Sequence, residues 1–263
     1  MGRTRGTWNT KGTWAAGIAL AALLALTGVA VLGGGDEDTD APGKGGSSAS
    51  ASASPGPSAT YAPPEQWTEP DSWAALPRGK RTDDHGSPVG FPKSTEGAVA
   101  MMAAANTVRI GPERDAVDEQ VRLYRSYVAE ADQSDEAAET VELRAVQTDK
   151  QLHKSLGVPV GEPLPAGAYM RATVVGYKVI AESGDRVSVW LLTRTVQKGG
   201  ETVKESGSYT RTLSGAAWTG GDWKLSGPAV AEGQQKAGEE PEMAAPGDEA
   251  FNRAGWTAIR EAS

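Results

Sequence analysis

The chain has no cysteine, and only two of its 263 residues are phenylalanine. Without cysteine, no disulfide can staple an exported domain and no lipid-modified cysteine can anchor it, so any folded part is held by burial alone. A basic run is missing too. Lys and Arg number 26 against 34 Asp and Glu, a formal charge of −8, and such a surface does not neutralise phosphates; a nucleic-acid partner is excluded. No stretch rises to a catalytic signature, so no enzyme activity and no cofactor are expected. Alanine, glycine and proline are abundant while Phe is scarce, the bias of a high-GC bacterial genome, so alanine-rich stretches carry little special meaning.

What is present begins with an apolar run, Trp14 to Leu32, preceded by Arg3, Arg5 and Lys11 and followed by Asp36, Glu37, Asp38 and Asp40. At about 1.5 Å per helical residue it reaches roughly 30 Å, the thickness of a bilayer's hydrocarbon core. The spacing predicts a transmembrane helix over residues 13–33, with residues 1–12 cytoplasmic and the rest outside the cell by the positive-inside bias. A cleaved signal peptide is the rival reading. The run exceeds an ordinary h-region, and its one passable cleavage triplet, Gly28-Val29-Ala30, lies among apolar residues. From residue 34 to 66 the sequence is Gly, Ser, Ala, Pro and acidic residues, too poor in apolar groups to offset the entropy of ordering. It reads as a disordered tether of roughly 34 residues with a root-mean-square reach of roughly 30–35 Å.

An α+β domain is expected over residues 67–228. Trp67 and Trp73 open it and are read as docking the start of the domain on its core rather than as a glycan or peptide platform. Residues 78–92 read as loop, in which Asp83-Asp84-His85 has metal-ligand types but no convergent partner, so no metal site is assigned. Three helices follow. Ser94 or Thr95 caps the first; Val117, Val121, Tyr124 and Val128 stripe the second, with Arg114, Glu119, Arg122 and Arg125 on its other side; the third starts after Ser134 and ends at Gly157. After a Pro-rich hinge over residues 158–165, the period changes to that of strands. Residues 168–182, 186–196, 202–218 and 223–225 predict a four-stranded antiparallel meander, with a bulge at Gly176 and Trp218 paired with Trp223 across the last turn. Such a sheet can keep one face wet. Residues 229–248 are polar and acidic and predict disorder. Residues 249–263, with Phe251, Trp256 and Ile259, predict a short helix or tail that docks on the domain or marks a partner contact.

Helices followed by a bent antiparallel sheet ending in Trp218-Thr-Gly-Gly-Asp-Trp223-Lys-Leu225 resemble the cone-shaped fold of the nuclear transport factor two and cystatin-like superfamily. Behind one membrane helix, that arrangement resembles the bitopic scaffold subunit of type IV secretion and conjugation systems. The text Gly86-Ser87-Pro88-Val89-Gly90-Phe91-Pro92, followed by Glu96-Gly97-Ala98-Val99-Ala100, resembles a family of uncharacterised actinobacterial membrane proteins associated with integrative conjugative elements. The resemblance implies a non-catalytic scaffold that contacts envelope proteins and possible further copies of itself. The alternative it implies is a cone whose pocket holds a lipid or cell-wall fragment, for which Tyr124, Tyr127, Tyr169, Trp190 and Tyr209 are the candidate lining. An enzyme reading rests only on Asp149 and His153 at helical spacing. Beside Lys150 and Lys154 these read as a solvated pair.

Overall fold

A computed structural model describes residue 64 and residues 66–260. The expected cytoplasmic N-terminus, the transmembrane helix over Trp14–Leu32 and nearly all of the tether lie outside these residues. Among the described residues, no helix is long and apolar enough to cross a membrane.

Strands β1 (Trp73–Ala74), β2 (Arg81–Thr82) and β3 (Pro88–Val89) precede helix α1 (Thr95–Ala105). Strand β4 (Val108–Ile110), α2 (Ala116–Tyr127), a 3-10 turn (Glu130–Asp132) and α3 (Asp135–Leu156) follow. The long strands β5 (Ala168–Glu182), β6 (Arg186–Gly199) and β7 (Ser206–Thr219) lead to β8 (Asp222–Leu225), α4 (Gly227–Lys236), α5 (Glu249–Arg253) and β9 (Thr257–Ile259).

Local chemistry explains the helices. Ser94 and Ser134 each accept an N–H from the first turn of α1 and α3, and Asp115 does the same for α2. At the far end of α3, Gly157 adopts φ 69°, the left-handed cap its position predicts. Gly97 is required by space: a Cβ there would stand 1.9 Å from the Pro92 carbonyl oxygen.

The meander β5-β6-β7-β8 is present, but it is not a four-stranded cone. It is the centre of a seven-stranded sheet ordered β1-β9-β5-β6-β7-β8, with β4 also paired to β5. The far edge of β5 is shared: β4 takes Met170–Ala172, and β9 takes Gly176 and Tyr177 just past a register shift at Val174/Gly176. The strands missed by the pattern are two or three residues long, too short for a period to show.

Two further expectations are corrected. Residues 229–248 are not disordered: Ser226 caps α4 with Pro228 in its first turn, and Ala244 and Ala245 beyond it are buried. The second sheet face is wet only at one end, where Arg171 and Thr173 of β5 are exposed. Val187, Val189 and Leu191 face the main core, toward α1 and α3, while Ser188 and Leu192 on the opposite face are equally buried. Small residues let α4 lie close on that face, since a Cβ at Gly215 would meet the Val230 amide nitrogen at 2.5 Å and one at Gly233 would meet Ser188 at 2.9 Å. The Ser188 hydroxyl donates to the Ala229 carbonyl at 2.6 Å. Beyond α4 the face is covered by a second apolar cluster of Leu192, Tyr209, Ala244, Ala245, Phe251 and Trp256.

Candidate functional site

The residues behind the family resemblance form a lock between the loop before α1 and the end of the sheet. The Asp222 carboxylate accepts from the Gly90, Phe91 and Trp223 amides at 2.8, 3.1 and 2.9 Å, and the Trp223 indole donates to the Pro92 carbonyl at 2.8 Å. Phe91 is buried as an apolar plug. Trp218 stands edge-on to Trp223 at 5.4 Å, across the register pair of β7 and β8. Asp83 closes the β2–β3 turn by accepting from the Ser87 and His85 amides at 2.8 and 3.0 Å. Among the described residues, no group of three His, Cys, Asp or Glu is placed to hold a metal ion.

The five aromatics expected to line a pocket do not converge. Tyr124 and Tyr127 fill the space between α2 and its neighbours, where Tyr124 accepts from the Ser134 amide at 3.1 Å and Tyr127 donates to the Pro88 carbonyl at 3.1 Å. Burial pushes the Tyr127 phenol up to about 12, against the partial relief of Ser87 and Arg122. Trp190 and Tyr209 lie with the second cluster on the other side of the sheet, Trp190 beneath the Arg211 guanidinium at 5.7 Å. Tyr169 is half-buried near the start of β5, with its hydroxyl donating to Glu205, which raises its pKa. Phe251 and Trp256 are not exposed contacts: they are 0% and 2% accessible, stacked at 6.5 Å, with the Trp256 indole donating to the Glu242 carbonyl at 2.7 Å. Ile259 is half-buried in β9. Trp73 packs against the same cluster, whereas Trp67 is 61% exposed and lies against Gly247; both indoles donate to Glu69.

Sequence reasoning placed Glu119 on the polar side of α2, yet it is fully buried. It accepts from the Arg109 amide at 2.9 Å, from Arg114 at 3.0 Å and twice from Arg122 at 2.8 Å. Burial alone would raise its carboxyl; the Arg122 bonds and charge, then Arg109 and Arg114, more than offset that and lower it. Arg122 continues to the Ser87 hydroxyl, joining α2 to the loop before α1. Flanking arginines five residues before and three after Glu119 were the available signal.

A cleft of about 330 Å³ opens between the start of α2 and the end of α3, lined by Gly111–Asp115, Asp118, Asp149, His153 and Gly161–Leu164. It contains none of the five aromatics. His153 and Asp149 are not a solvated pair, because the His153 side chain is only 5% exposed, with Asp149 Oδ2 3.3 Å from its Nδ1. Its Nδ1 and Nε2 face the carbonyl oxygens of Asp149 and Glu162 at 2.8 and 2.9 Å. A general base needs a ring nitrogen turned to substrate, and both nitrogens here are turned to the backbone.

The chain matches no protein-family model, no curated protein and no solved structure.

Proposed function

We propose that this chain is a single-pass membrane protein whose extracytoplasmic domain is a non-catalytic scaffold in an envelope complex of the conjugation or type IV secretion kind. The observation that favours this over a ligand carrier is the use of the aromatics. Tyr124, Tyr127, Phe251 and Trp256 are buried within the fold, where they make a rigid body rather than a lined cavity. The sequence supplies the rest, an apolar run of bilayer length and a tether that gives this body reach.

Topology and association are separate tests. Protease added to intact protoplasts digests the C-terminal domain if it lies outside; survival of that domain until lysis overturns the membrane assignment. Crosslinking in native membranes, followed by purification of the detergent-solubilised full chain, recovers envelope proteins or further copies of itself. Recovery of neither overturns the scaffold. The alternative, a module holding a lipid or cell-wall fragment inside the domain, has less support because Tyr124 and Tyr127 fill that interior. Native mass spectrometry of the purified full chain decides it by the presence of a co-purified ligand.

A further inference from the structure

His153 occupies the last turn of α3 with both ring nitrogens facing carbonyl oxygens, Nδ1 toward Asp149 at 2.8 Å and Nε2 toward Glu162 at 2.9 Å. A neutral imidazole has one N–H and can satisfy only one of them; the imidazolium donates to both. The geometry points to a pH-operated clasp: protonated His153 ties the loop of residues 158–165 to α3 and walls the cleft, and loss of the Nε2 proton releases that loop. This goes beyond the scaffold reading and does not depend on it.

The charges around the ring favour its protonated form. Asp149 faces it from α3, where Lys150 and Lys154 are exposed neighbours; Glu162 belongs to the loop; Asp115 and Asp118 lie at the start of α2, with Glu113 and Arg114 just before it. Burial pushes the ring down, but the two carbonyl bonds, then Asp149 and Asp115, more than offset this and raise it. Nδ1 keeps its proton because it faces both the carbonyl and the carboxylate of Asp149. Nε2 therefore loses the proton, leaving a lone pair against the Glu162 oxygen. That repulsion is relieved if the loop lifts and water takes the carbonyl.

Gly157, Gly161 and Gly167 have φ of 69°, 86° and 74°, marking the two ends and the middle of the loop. Leu164 is its buried anchor, while Val160 is 56% exposed.

The test is a titration of the full-length chain in detergent micelles from about pH 5 to about pH 9, a range that brackets histidine. The histidine ring resonances are followed by NMR, with His85→Gln for assignment. Amide exchange is measured in parallel for residues 158–165, corrected for its intrinsic pH dependence and referenced to β6. The His153 ring titrates above the ordinary 6.5, and protection of the Val158 and Glu162 amides, which donate to the His153 and Pro159 carbonyls, falls about tenfold at the same midpoint, the equivalent of one charge-assisted hydrogen bond. His153→Gln removes the pH dependence of the loop. If that variant does not fold, the unsubstituted chain decides alone. A ring titrating at or below 6.5, or loop protection that ignores the ring's midpoint, overturns the clasp.

Discussion

Glu119 shows how much one side chain can organise. Its carboxylate gathers two arginines and a strand amide inside the domain, and removing it leaves Arg122 buried beside Ser87 without its hydrogen-bonded carboxylate. Glu119→Ala is expected to cost about 3–5 kcal/mol, measured by chemical denaturation. The pH dependence has a definite sign. Because its folded pKa is lowered, Glu119 contributes stability that is fully present above its ordinary 4.5 and is lost as the pH falls through the folded value. Glu119→Gln removes that acid-side slope. His153 acts oppositely: its folded pKa is raised, so its contribution is complete below 6.5 and is lost as the pH rises through the folded value. A stability curve between neutral and mildly alkaline pH, with and without His153→Gln, checks it. Only the flanking arginines hinted at the first role, and nothing in the sequence hinted at the second. A polar side chain on an amphipathic helix reads as solvated until the tertiary fold closes over it, and the carbonyl that holds His153 lies nine residues away in the hinge.

Individual elements were better marked. The caps of α1 and α3, the bulge at Gly176 and the Trp218–Trp223 pair all follow from chemistry within a few residues. Gly97→Ala forces a methyl group against the Pro92 carbonyl and is expected to destabilise by about 1–3 kcal/mol, seen as a lower Tm. A double-mutant cycle on Trp218 and Trp223 should return a coupling of about 0.5–1.5 kcal/mol by equilibrium unfolding. The C-terminal third was harder to read. Residues 229–248 have the polar composition of a disordered segment, yet their few apolar side chains land on a sheet face that is itself apolar. Composition measures what a segment can bury by itself. It is silent about a surface waiting elsewhere in the chain.

For the molecule as a whole, the second apolar cluster converts an open sheet into a layered body. Phe251 plugs the bend at Gly176, where a Cβ would come within 3.1 Å of its ring. Phe251→Ala is expected to cost about 3–5 kcal/mol and to increase binding of a hydrophobic dye by uncovering Leu192 and Tyr209; fluorescence alongside denaturation measures both. The mixed α+β class was legible because the period changes after residue 165. The full width of the sheet was not, since three of its seven strands come from distant, very short segments.

One of those segments imposes an order on biogenesis. Strand β9 lies between β1 and β5, pairing Ala258 with Trp73 on one side and with Gly176 on the other. A nascent chain in which residues 257–259 are still inside the ribosome therefore cannot seat Trp73, however long the preceding sequence has been free. The sheet closes only once residues 257–259 have emerged, so its first strand waits on its last.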